Sequence, residues 1–196
     1  MRRQVKSMLL LGALTIIAAR AGGAHAQSPT QPKYPVDVAL TYDATRADVI
    51  TNASFWMQGG TAEVHGQFYK GWGVVAEVNG LHTANIQSSG VSLDLVTASF
   101  GPRYTWTPAH ARYSIFGQML VGETWGLNSV FPSVNGAMQN ARSLAVEGGG
   151  GFDVALTPHV SLRAIKVDWL RTQLPNSTTN VQNDVTLGAG VVIKFR

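Results

Sequence analysis

The sequence predicts an all-β protein, an eight-stranded antiparallel up-and-down transmembrane β-barrel. Three observations lead there. Extended segments alternate apolar and polar residues with period two, which sorts side chains onto opposite faces of a sheet. The connections between them alternate between short and long, the pattern of turns on one side of a membrane and loops on the other. After the N-terminal segment, no apolar run approaches the roughly 18 residues that a spanning helix needs.

The first element is an export signal. Arg2, Arg3 and Lys6 precede an apolar run from Met8 to Ala19, and Ala24-His25-Ala26 forms a small-x-small cleavage pattern. Residues 1–26 are therefore expected to be a secretory signal peptide. Its removal takes four of the 15 basic residues and none of the 11 acidic ones, so the formal charge falls from +4 to zero. The mature chain has no surplus of clustered positive charge, which argues against a nucleic-acid partner. The chain has no cysteine, which excludes disulfides, thiol chemistry and lipoprotein anchoring. Charged residues make up 13%, against about a quarter in soluble domains.

Residues 27–35 read as a short polar leader broken by prolines, expected in the periplasm. The barrel domain is expected over residues 36–196. Its first four strands are expected at 36–44, 57–69, 72–83 and 93–106, and the second four at 112–125, 143–156, 160–171 and 184–195. Most are longer than the five or six residues usual in soluble sheets and suit tilted membrane crossings. Lys70-Gly71 and residues 107–111 and 157–159 read as tight turns. Residues 45–56, 84–92, 126–142 and 172–183 read as longer loops.

Parity assigns the faces. Ala62, Val64 and Phe68 oppose Glu63, His65 and Gln67, while Trp72, Val74, Ala76 and Val78 oppose Glu77 and Asn79. Val96, Ala98, Phe100, Tyr104 and Trp106 oppose Thr97, Ser99, Arg103 and Thr105. Leu144, Val146, Phe152 and Val154 oppose Glu147, Gly149, Gly151 and Asp153. The polar side carries isolated carboxylates, arginines and glycines, which suits a narrow enclosed interior better than a solvated face. The expected interior network is Glu63, His65, Glu77, Arg103, Glu147, Asp153, Arg163 and Lys166. Arg163 differs in parity from both Lys166 and Asp168, so a bulge is needed to bring them to one side. Charges enclosed in this way must pair, because an isolated one costs several kcal/mol.

Aromatic residues collect near strand ends at Tyr34, Tyr42, Trp56, Tyr69, Trp72, Trp106, Trp125 and Trp169, as two interfacial girdles would require. The run Gly148-Gly149-Gly150-Gly151 lacks the Lys-Ser/Thr and helix of a phosphate loop; within a strand it permits curvature or close packing. No catalytic residue, cofactor or metal ligand is assigned. His65 beside Glu63 reads as a satisfied interior histidine. His82 with Ser88, Ser89 or Ser92 is the nearest approach to the Ser/His pair of a membrane-embedded acylhydrolase, and no motif supports it.

The segment RAIKVDWLRTQL (163–174), the Asn/Thr-rich loop after it and the closing LGAGVVIKF (187–195) resemble the small outer-membrane barrels of Gram-negative bacteria. These are the OmpA-like or OmpX-like membrane domains, and more narrowly the stand-alone barrel-domain proteins of bacteria such as acidobacteria. The resemblance implies an assembly signal in the last strand, matched by Gly188, Val191, Ile193 and Phe195, with Arg196 following. It also implies periplasmic chaperones and the barrel-assembly machinery as partners during biogenesis.

The expected protein is a monomer in outer-membrane lipid with both termini periplasmic. It is expected to be non-enzymatic and without cofactor, with a structural role or a surface-interaction role toward an extracellular ligand through loops 126–142 and 172–183. The alternatives are a narrow channel, a lipid-modifying enzyme, or a soluble exported barrel whose apolar stripes point inward around a ligand.

Overall fold

A computed structural model of the chain describes residues 35–50, 53–86, 90–133, 136–176 and 180–195. The proposed signal peptide, most of the leader, Tyr34, Ser88, Ser89 and Arg196 lie outside the described residues. Eight long strands close into a barrel: β1 (Val36–Ile50), β2 (Ala53–Tyr69), β3 (Trp72–Thr83), β4 (Leu93–Trp106), β5 (Tyr113–Leu127), β8 (Ala141–Ala155), β9 (Val160–Thr172) and β10 (Gln182–Phe195). Each pairs antiparallel with its sequence neighbours, and β10 closes on β1 from Val36 opposite Phe195 to Arg46 opposite Val185. Closure leaves the barrel without an open edge. The chain enters β1 and leaves β10 at the same end, the end that also carries the tight turns. Between β2 and β3, Lys70 and Gly71 both have positive φ (36° and 91°), as a two-residue hairpin turn requires.

Two features at the opposite end differ from expectation. Residues 45–56 are not a long loop, because the β1–β2 ladder continues to Asp48 opposite Ser54. The cause is burial: Ala47, Phe55 and Met57 keep the inward parity and pack with Leu81, Leu93, Leu95, Phe131 and Leu174 into an apolar cluster. Loop 126–142 also contains a small hairpin, β6 (Phe131–Ser133) with β7 (Gly136–Met138), which delivers Phe131 to that cluster. The loop end of the interior is therefore sealed by apolar side chains.

The outer surface of the barrel wall is apolar on every strand. Leu40, Val64, Val74, Phe100, Met119, Leu144, Val167 and Leu187 are all exposed. Val64, Phe100 and Ile193 point outward, and Phe152 stacks with Tyr113 at 5.5 Å. The ligand-binding alternative required those stripes to face inward, and they do not. Tyr69, Trp72, Tyr104, Trp106 and Phe195 ring the turn end, and exposed Trp56 stands toward the loop end.

Candidate functional site: the barrel interior

Strand parity turns Glu63, His65, Glu77, Arg103, Glu147, Asp153, Arg163 and Lys166 inward, and each is buried. The last two reach the same face because β9 carries an irregularity. Ala164 and Ile165 both point outward, and the register with β8 and β10 shifts between Arg163 and Lys166. That single extra residue also brings Asp168 inward, which strict alternation from Arg163 would have turned to the outside.

Glu63 is the centre of the charged belt. Its Oε2 accepts from Arg103 Nη2 at 2.7 Å and Arg163 Nη1 at 2.6 Å, while Oε1 faces Lys166 Nζ at 2.9 Å. Arg163 also donates through Nε to Asp153 at 2.9 Å. Lys166 reaches Glu77 at 2.9 Å and Asp168 at 3.0 Å. Gln118 accepts from Arg103 and donates to Glu77 (3.4 Å) and Asp168 (3.3 Å), joining both halves of the belt. The guanidinium groups of Arg103 and Arg163 both lie over the Phe116 ring, with centroid distances of 4.3 and 4.5 Å, so the ring also compensates positive charge. Glu147 stands at the margin of the belt, with the Ser99 hydroxyl 3.5 Å from Oε2.

Toward the loop end the belt gives way to hydroxyls and amides. Thr61 donates to Asp43, and Asn79 donates to Asp43 at 3.1 Å and to Thr61 at 2.8 Å. Toward the turn end, His65 Nδ1 lies 3.3 Å from Asp37. The glycine run explains how the belt fits. A Cβ on Gly149 would strike the Asp168 carboxylate, and one on Gly151 would strike the Phe116 ring.

Asp43, Phe116, Gln118 and Asp168 were not among the residues expected to form the network. Gln118 and Phe116 share parity on β5, and Asp168 follows Lys166 at period two, so that signal was present in the sequence. Of the Ser/His candidates, His82 and Ser92 are among the described residues. His82 Nδ1 lies 2.5 Å from Asp94, and Ser92 donates to the Asn128 carbonyl at 3.1 Å. Of the residues expected to form an assembly signal, Val191, Ile193 and Phe195 face outward, whereas Gly188 faces inward beneath the Asp43 carboxylate.

No protein-family model matches the chain, and no curated protein matches it closely enough to count as a relative. Solved structures do match its fold. The chain is similar to Neisserial surface protein A (NspA), with a TM-score of 0.65 and 13% identity over 84% of this chain and 98% of that one. It is also similar to Ail, the attachment invasion locus protein of Yersinia pestis, with a TM-score of 0.54 and 15% identity over 82% of this chain and 98% of the other. At such identities the likeness is one of fold.

Proposed function

We propose that the chain is a non-enzymatic integral outer-membrane barrel with a structural or surface-interaction role carried by its external loops. The observation that carries this reading is the inversion of a soluble protein's pattern. Apolar side chains cover the outer wall on all eight strands, while charges are buried inside. That arrangement is stable when lipid is the outer solvent. The apolar cluster at the loop end and the cross-linked belt below it support a filled interior over bulk conduction. The fold likeness to NspA and Ail is consistent with an envelope setting.

Several narrower statements belong to the same proposal. Residues 1–26 direct export, and the shared end of β1 and β10 faces the periplasm. Val191, Ile193 and Phe195 are read by the assembly machinery with Gly188, and loops 126–142 and 172–183 meet an extracellular ligand. Kinship with the OmpA-like, OmpX-like or acidobacterial barrels rests on residues 163–174 and 187–195. Cell fractionation with gel electrophoresis of unboiled and boiled samples tests the core of the reading. The expected result is an outer-membrane protein, extractable by detergent, whose unboiled form migrates differently. Recovery only in the soluble periplasmic fraction would overturn it.

A further inference from the structure

Side chains do not balance the charge of the interior. Among the described residues, Arg103, Arg163 and Lys166 are the buried permanent cations, and buried carboxylates outnumber them. Glu63 engages all three cations and Asp153 engages Arg163, so the surplus falls elsewhere. Part of it gathers where Glu77, Glu147 and Asp168 each bring a carboxylate oxygen within 4.8 Å of the others. Lys166 is the ammonium that serves Glu77 and Asp168. Ionised together, three carboxylates beside one ammonium would leave two negative charges uncompensated.

A second observation points to a ligand. Glu147 is only 5% exposed, pairs with no cation among the described residues, and its Oε1 is buried without a hydrogen-bond partner. The three carboxylates line one cavity of about 10 Å³, close to the room a single water-sized sphere needs, with Thr61, Asn79, Thr97 and Thr186 around it. Leu170 completes the lining, whose polar groups are carboxylates, threonine hydroxyls and the Asn79 amide. Oxygen ligands of this kind suit a hard cation.

We propose that Glu77, Glu147 and Asp168 form an interior binding site for one hard divalent cation of the calcium class. Two charges match the local surplus. Calcium tolerates an irregular oxygen shell, whereas magnesium demands near-octahedral geometry and keeps its waters. Glu77 holds Lys166 through Oε2 and can meet the cation with Oε1, while Asp168 holds Lys166 through Oδ2 and would share Oδ1 between Gln118 and the cation. The cation would tie β3, β8 and β9 together just below the apolar cluster. The competing way to remove the charge is a proton shared between Glu147 and Glu77.

The test uses the mature chain folded into detergent micelles with calcium, then desalted, its metal content read by elemental analysis. Thermal unfolding follows in calcium, magnesium or chelator. The expected outcome is a single retained calcium per chain and a higher Tm in calcium than in chelator or magnesium. Glu147→Gln is expected to weaken calcium binding by roughly tenfold or more, and its Tm should no longer respond to calcium. In chelator that variant should be at least as stable as the unsubstituted protein, since the amide removes a buried charge. Glu123→Gln, at an exposed carboxylate on the outer wall, should retain calcium normally. Absence of retained metal together with equal Tm in calcium and chelator would overturn the proposal, as would full retention by Glu147→Gln. A Tm indifferent to calcium but falling as pH rises marks the shared proton and overturns it equally. The metal content and Tm of the unsubstituted protein decide the matter even where Glu147→Gln does not fold.

Discussion

Glu63 shows how much one interior residue holds. Its two oxygens meet Arg103, Arg163 and Lys166, which come from β4 and from both sides of the β9 irregularity. Removing it leaves cations without their shared partner in a site closed to water. Glu63→Ala is therefore expected to cost about 3–5 kcal/mol, measured as a lower urea midpoint for unfolding from detergent or vesicles. Glu123 pairs with Arg142 at 3.7 Å on the outer wall, where both side chains are exposed. Glu123→Ala should change the midpoint little, because an exposed pair contributes about 0–1 kcal/mol. The contrast lies in enclosure rather than in charge, and period-two parity made the inward turn of Glu63 readable in the sequence. The identity of its partners was not readable, since three cations on two other strands meet it only after the barrel closes.

At the scale of the element, β9 and β8 depend on backbone irregularity and on small residues. The extra residue at Ala164-Ile165 lets Arg163 and Lys166 share the interior. Deleting Ala164 removes the extra residue and leaves Arg163 and Lys166 two positions apart, so both stay inward on a regular strand. Strict alternation at the present length would instead turn one cation to lipid, at about 2–4 kcal/mol near the midplane. The deletion is therefore expected to keep its folded yield in vesicles, read from the unboiled band on a gel. Gly151→Val tests the other device. Its Cβ would fall on the Phe116 ring and the Ile165 carbonyl, and moving the ring would disturb its contacts with the Arg103 and Arg163 guanidiniums. Overpacking of this kind costs about 1–3 kcal/mol, again visible as a lower urea midpoint. The glycine run and the parity break were both visible as anomalies in the sequence, while the ring and carboxylate they accommodate belong to β5 and to β9 itself.

At the scale of the whole molecule, the closing seam between β1 and β10 carries the architecture. Leu40 stands opposite Val191, both on the outer wall, in a chain that contains no cysteine. Directly opposed antiparallel residues lie about 4.5–5.5 Å apart at Cα, within the range a disulfide spans. Leu40→Cys combined with Val191→Cys should form that bond under oxidation in the folded barrel and not in urea, read by mass change on reduction. Failure to cross-link in folded protein would contradict the closure described. Phe131 tests the loop end, since among the described residues it is the member of the β6–β7 hairpin in the apolar cluster. Phe131→Ala should leave the barrel heat-modifiable but make loop 126–142 cleave faster in limited proteolysis.

The barrel class, most strand limits, the outward apolar wall and the inward parity of the charged residues can be read along the chain. These follow from period two and from turn chemistry, which are local properties of the chain. Which charges meet, how far β1 and β2 extend, and the apolar cluster at the loop end emerge in the folded barrel. Each of these depends on side chains from distant strands converging at one height in the barrel. Register and closure set that height, and neither is written in any single strand.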